Sequence, residues 1–108
     1  MGSFWQKGEE MMKPIFEFEL SKETFSKLKK DRNVDKELFI SFLKNGKLVS
    51  IGGIIIDFST NEWTNTENLD YESGDFYWNS SDIYHFEKYD LKLNDDFIKY
   101  VIRETAQQ

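Results

Sequence analysis

The chain is 108 residues long, carries fourteen Lys and Arg against twenty Asp and Glu for a net charge of −6, and contains no cysteine. One domain fills that length, and the missing cysteine excludes disulfides, thiolate nucleophiles, zinc ribbons and iron–sulfur clusters. An acidic balance disfavours binding to nucleic acid or anionic lipid, and no apolar run approaches the ~20 residues of a membrane span, so a soluble, cytoplasmic domain is expected.

Residues 1–13 follow no period and read as an irregular N-terminal segment. Lys7-Gly8-Glu9-Glu10 ahead of Met11 is what a purine-rich ribosome-binding site spells when translated, which makes Met11 or Met12 a candidate start. Phe4 and Trp5, costly residues to leave loose, stand against that. From Pro14, Phe16, Phe18 and Leu20 alternate with Ile15, Glu17 and Glu19 at the period of a half-buried strand. Ser21 is a helix N-cap, so Lys22 to Lys30 reads as a helix with Lys29-Lys30 at its negative end. Asp31 to Lys36 is a polar connection. Glu37 to Lys44 and Lys47 to Phe58 flank Asn45-Gly46, a type I′ turn signal that predicts an antiparallel hairpin. The run Ile54-Ile55-Ile56 predicts burial on both faces, and Gly52-Gly53 a bulge or sharp bend. No helix start follows these glycines, so they form no phosphate loop.

Ser59 to Gly74 reads as a long polar connection that holds Trp63, Leu69 and Tyr71; loops of this length are often functional. Asp75 to Asn79 and Asp82 to Leu93 read as two strands around Asn79-Ser80-Ser81. Asn94 caps a last helix, with Asp95 and Asp96 in its first turn and Phe97, Ile98, Val101 and Ile102 as its apolar stripe. The expected fold is a single α+β domain over residues 14–108, an antiparallel sheet of about five strands with two helices packed on one face.

Charge is divided unevenly along the chain. Residues 1–50 hold ten cations and eight anions, whereas residues 51–108 hold four and twelve. From Leu48 through Glu87 there is no Lys or Arg, while Asp57, Glu62, Glu67, Asp70, Glu72, Asp75, Asp82 and Glu87 are interleaved with eight aromatic residues. A solvated acidic face over core aromatics would give this composition without any partner. Yet surfaces ordinarily mix both signs, and unrelieved like charge costs folding stability unless something basic neutralises it. Tyr and Trp are also the residue types that anchor interfaces.

Catalytic chemistry finds few parts. His85, the one histidine, lies in Tyr84-His85-Phe86 on an expected strand and reads as a structural or surface residue rather than as a base. One histidine with carboxylates is an unusual zinc set. Asp57, Asp75 and Asp82 are available to a small carboxylate-dependent enzyme, and Asp90-Leu91-Lys92 echoes an element of metal-dependent nucleases. An anionic surface, however, repels a nucleic-acid substrate. A carbohydrate-binding module, with Trp63, Tyr77 and Trp78 stacked on sugar rings, is the other alternative. No catalytic residue, metal or cofactor is assigned.

The cation-free window, the clusters Asp70-Tyr71-Glu72 and Asp75-Phe76-Tyr77-Trp78, and the one-domain size resemble the small, acidic, cysteine-free immunity proteins that bacteria encode beside polymorphic toxins, contact-dependent growth inhibition toxins among them. The resemblance implies an antitoxin function. Its partner would be a basic protein, a cognate toxin nuclease domain, with no direct contact to nucleic acid or membrane. Phage inhibitors of host nucleic-acid-binding enzymes present similar surfaces and are the alternative within the binding class. Partner contacts are expected at Trp63, Asp70, Tyr71, Glu72, Asp75, Tyr77, Trp78 and Asp82, with Tyr77 facing outward if Phe76 and Trp78 point to the core.

Overall fold

The computed structural model describes residues 6–7 and 10–107, with side chains from Met12 onward. Its N-terminal part holds β1 (Gln6–Lys7), β2 (Glu10–Met11), β3 (Lys13–Pro14) and a 3-10 turn at Phe25–Lys27. Then follow α1 (Lys36–Lys44), β4 (Lys47–Asp57), β5 (Glu62–Ser73), β6 (Phe76–Asn79), α2 (Ser80–Tyr89) and α3 (Asp95–Ala106). β1 and β2 pair with each other. The main sheet has the order β3-β6-β5-β4, with β3 parallel to β6 and the other pairs antiparallel. The α+β class expected from the sequence holds, but among the described residues the main sheet has four strands and is mixed, and there are three α-helices.

Three segments account for the difference. Glu37 to Lys44 is helical and not the first arm of a hairpin. Leu38, Phe39, Phe42 and Leu43 recur as a helical stripe, Phe39 and Leu43 are buried, and Asp35 caps the helix by accepting from Leu38 N at 3.2 Å. Asn45 has φ −105° as the C-cap, so Asn45-Gly46 ends a helix instead of turning a hairpin. Glycine is required at 46 for close approach, because a Cβ there would run into the Trp78 indole.

Ser59 to Gly74, expected as a polar connection, contains the longest strand. β5 lies between β4 and β6, and backbone pairing with β4 along its length and with β6 from Asp70 to Ser73 holds a sequence whose side chains are largely polar. The β4–β5 turn closes with Asn61 at φ 62°. Asp82 to Leu93, expected as a strand, is mostly helix α2. Asp82 N donates to the Asn79 side chain and Asn79 N donates to the Asp82 carboxylate, both at 2.9 Å. This reciprocal capping box sets the helix start. α2 stops at Asp90, in the left-handed region at φ 57°, and the Asp90 carboxylate pairs with Arg32 and Lys36.

Smaller departures have local causes. The helix expected over Lys22 to Lys30 contracts to the 3-10 turn. Thr24 Oγ1 accepts from Ser21 N at 2.8 Å and donates to Glu19 O at 2.7 Å, which offers the backbone an alternative to helix. Ile15 and Phe16 are both buried, so the alternation expected from Pro14 fails at its first step. Met12 is also buried and Lys13 sits opposite Phe76, so the sheet begins inside the segment expected to be irregular; Phe4 and Trp5 lie outside the described residues. Of the three consecutive isoleucines only Ile55 is buried. A register shift between Ile51 and Ile54 does mark Gly52-Gly53.

One apolar cluster joins the sheet to all three helices. Tyr71, Phe76 and Trp78 meet Phe39 and Leu43 of α1, Ile83 and Phe86 of α2, and Phe97 and Val101 of α3. Burying each large side chain contributes roughly 1.5–3 kcal/mol. Trp78 ties the layers together: its Nε1 donates to Leu43 O at 2.9 Å and its ring meets Phe97 edge-on at 5.7 Å.

Candidate functional site

The β4–β5 hairpin is held at its turn by a buried carboxylate. Asp57 is 2% exposed. The Tyr84 and Tyr89 hydroxyls donate to it at 2.6 and 2.7 Å, Ser59 N and Thr60 N at 2.8 and 3.1 Å, and Lys88 Nζ lies 3.3 Å away. Burial works to raise its pKa, but the hydrogen bonds from Tyr84, Tyr89, Thr60 and Ser59 outweigh burial and hold it well below the ordinary carboxylate value. His85, on α2 rather than on the expected strand, completes the anchor. It is fully buried, donates from Nδ1 to Ser81 O at 2.7 Å and accepts at Nε2 from Phe58 N at 2.9 Å. Burial lowers its pKa, and a neutral ring with both nitrogens engaged is a structural residue.

Strand register sorts the expected contact residues by face. Glu72 lies between Lys47 and Tyr77, and Asp70 lies between Ser50 and Asn79, on the same face of the sheet. Asp70 accepts from Ser50 Oγ at 2.6 Å. Tyr77 is half-buried between the buried Phe76 and Trp78, as strand alternation requires. Burial, with the Glu19 and Asp82 charges nearby, pushes its pKa up to about 12. Asp82 is buried close to this group; burial raises its pKa to about 7, opposed by the Asn79 amide and reinforced by Glu19 and Asp70. Asp75 is exposed in the β5–β6 turn.

Tyr71 and Trp78 point the other way. They stack 6.2 Å apart in the core, with Trp78 wholly inaccessible. Both were expected at a partner contact and Trp78 also on a sugar platform; strand alternation makes them packing residues instead. Trp63 stands apart from the rest, 71% exposed and about 20 Å along β5 from Asp70 at the usual rise of a strand. The eight residues therefore divide among an acidic sheet face of Asp70, Glu72 and Tyr77, the exposed turn residue Asp75, the core residues Tyr71 and Trp78, an isolated indole near the hairpin turn, and the buried Asp82. Expected at the contact, Asp82 instead belongs to the α2 capping box.

The chain gives no significant match to protein-family models, curated proteins or solved structures.

Sequence reasoning missed the apolar half of the hairpin surface. Among the described residues, four of the five large exposed apolar side chains lie on it: Leu48, Ile51 and Ile54 on β4 and Trp63 on β5. Trp63 sits opposite Ile56, and Glu67 opposite Ile54. A usable signal was present, since Gly52-Gly53 interrupts the apolar run and a bent strand cannot bury both faces throughout. Among the described residues, Asp57 alone of the eight carboxylates in the cation-free window has an ion pair within 4.0 Å. No group of three or more His, Asp or Glu among them is placed to hold a metal, and no helix is long and apolar enough to cross a membrane. What the hairpin can do is present carboxylates and apolar side chains together to another macromolecule.

Proposed function

We propose that this chain is an immunity-type inhibitor that binds and neutralises a basic toxin domain of nuclease chemistry through the β4–β5 hairpin. The observation that carries the reading is Trp63: an exposed indole on the same strand as Glu62 and Glu67, both exposed and without an ion pair among the described residues. A Trp side chain left in water gains a large apolar burial only when something covers it. Carboxylates along the same hairpin without ion pairs repel one another until cations arrive, so they steer a basic partner and suppress an acidic one. A nuclease must bind phosphates through Lys and Arg, which gives it the complementary surface. Asp70, Glu72, Asp75 and Tyr77 extend the acidic face along the sheet and supply a polar rim.

The test is coexpression with the C-terminal domain encoded by the gene immediately upstream. Growth is expected to be restored by the unaltered chain and not by the variant combining Trp63→Ala, Glu62→Lys and Glu67→Lys, whose circular dichroism should match the parent. Failure of the unaltered chain to restore growth removes the reading. Rescue by the triple variant removes the hairpin as its site.

A further inference from the structure

β4 is an edge strand of the main sheet, runs for eleven residues from Lys47 to Asp57, and bears no charge between those two ends. An edge strand turns alternate N–H and C=O groups away from its one neighbour, and proteins ordinarily blunt such an edge with lysine, proline or a covering helix. Here Leu48, Ile51 and Ile54 are 49%, 62% and 48% exposed, and Gly52 and Gly53 are exposed between them. Register shifts at Leu48/Ser50, Ile51/Ile54 and Ile54/Ile56 interrupt the ladder, but neither charge nor proline guards the edge from Leu48 to Ile56.

We infer that the β4 edge takes up an extended, basic segment of the partner as a fifth strand, an inference that rests on the inhibitor reading above. Charge complementarity selects the occupant. β5, one strand in, carries Glu67 behind the uncharged Ile54, without an ion pair among the described residues, whereas Glu72 lies behind Lys47 and Glu62 behind Asp57. An added strand would lie roughly 10 Å from β5 at the usual strand spacing, a gap that a long cationic side chain and a glutamate can close together. Gly52 and Gly53 add no side chains to the edge beside the added strand; a Cβ built at Gly53 meets nothing within 4 Å, and one at Gly52 would touch Asn68 at 3.6 Å. A Lys or Arg of the incoming strand placed beside Ile54 reaches over it toward Glu67, its β5 partner, and apolar positions pair with Leu48 and Ile51. A second copy of this chain is the poorer occupant, because it brings its own Glu62 and Glu67 and a further net charge of −6 to the same edge.

The probe is a synthetic peptide of alternating lysine and valine matched in length to β4, with a glutamate–valine peptide as control, each added to the full chain at low salt. Amide hydrogen exchange across Leu48 to Ile54 is expected to slow by about tenfold or more with the lysine peptide only. The Ile51→Lys, Ile54→Lys double variant changes two exposed positions and should keep the fold while losing the protection. Unchanged exchange in β4 overturns edge pairing, and does so even where coexpression rescue succeeds, since rescue reads inhibition and exchange reads the edge. Equal protection by both peptides overturns the choice of a basic occupant. Protection without peptide that grows with protein concentration, accompanied by a doubled mass, gives the edge to a second copy and overturns the inference as well.

Discussion

Asp57 keeps a carboxylate buried because two tyrosine hydroxyls, two turn amides and Lys88 all converge on it. Removing the acceptor strands those donors, and each buried group left unpaired costs about 1–3 kcal/mol. Asp57→Ala is therefore expected to destabilise the fold by about 3–5 kcal/mol in urea unfolding, and Asp57→Asn by less. Its pKa is depressed, so its stabilisation is complete above the ordinary value of 3.8 and is lost as pH falls below it. Asp82 acts in the opposite sense. With a folded pKa near 7, the native state holds a proton that the unfolded chain releases, so stability is lost as pH rises from about 4 to about 7. Asp82→Asn is expected to flatten that decline, and urea unfolding at several pH values within the window checks it. Neither behaviour was legible in the sequence. Tyr84 and Tyr89 stand 27 and 32 positions from Asp57, and the charges of Glu19 and Asp70 reach Asp82 only through the fold.

Elements whose signals are local were legible, and those decided by distant partners were not. Asn94 announces α3 because the cap, the acidic first turn and the apolar stripe sit within a few residues of one another; its side chain accepts from Phe97 N at 2.6 Å. Asn45-Gly46 misled because the same dipeptide serves a type I′ turn and a helix end, and the choice is made by Phe39 and Leu43 reaching the core. β5 went unseen because its pairing partners, not its side chains, make it a strand. The same closeness gives a prediction at Gly46. A methyl group there must displace the Trp78 indole and also crowds the Tyr71 Cβ, 3.3 Å away. Gly46→Ala is expected to lower stability by about 1–3 kcal/mol through overpacking, seen as a lower melting temperature.

At the scale of the whole molecule, the uneven charge written along the chain survives folding. The front-half cations Arg32 and Lys36 are drawn to Asp90, outside the cation-free window, and Asp57 takes Lys88 from the back half. The remaining carboxylates of that window are left without ion pairs among the described residues. Composition foretold this acidity, but it could not tell which aromatic rings would be spent on the core. Association with a basic nuclease domain is expected to slow by about tenfold or more between low and high salt, measured by stopped flow; a salt-independent rate would exclude steering.

The N-terminal edge of the sheet depends on residues far along the chain. Lys13 sits opposite Phe76, Asn94 N donates to Ile15 O at 2.8 Å, and the Asn94 side-chain amide donates to Pro14 O at 2.8 Å and Phe16 O at 3.1 Å. Synthesis runs in the other order. Residues 13–16 leave the ribosome before Asn94 and stay without these partners until it has followed them out, so this edge of the sheet is sealed from behind and cannot close in the order of synthesis.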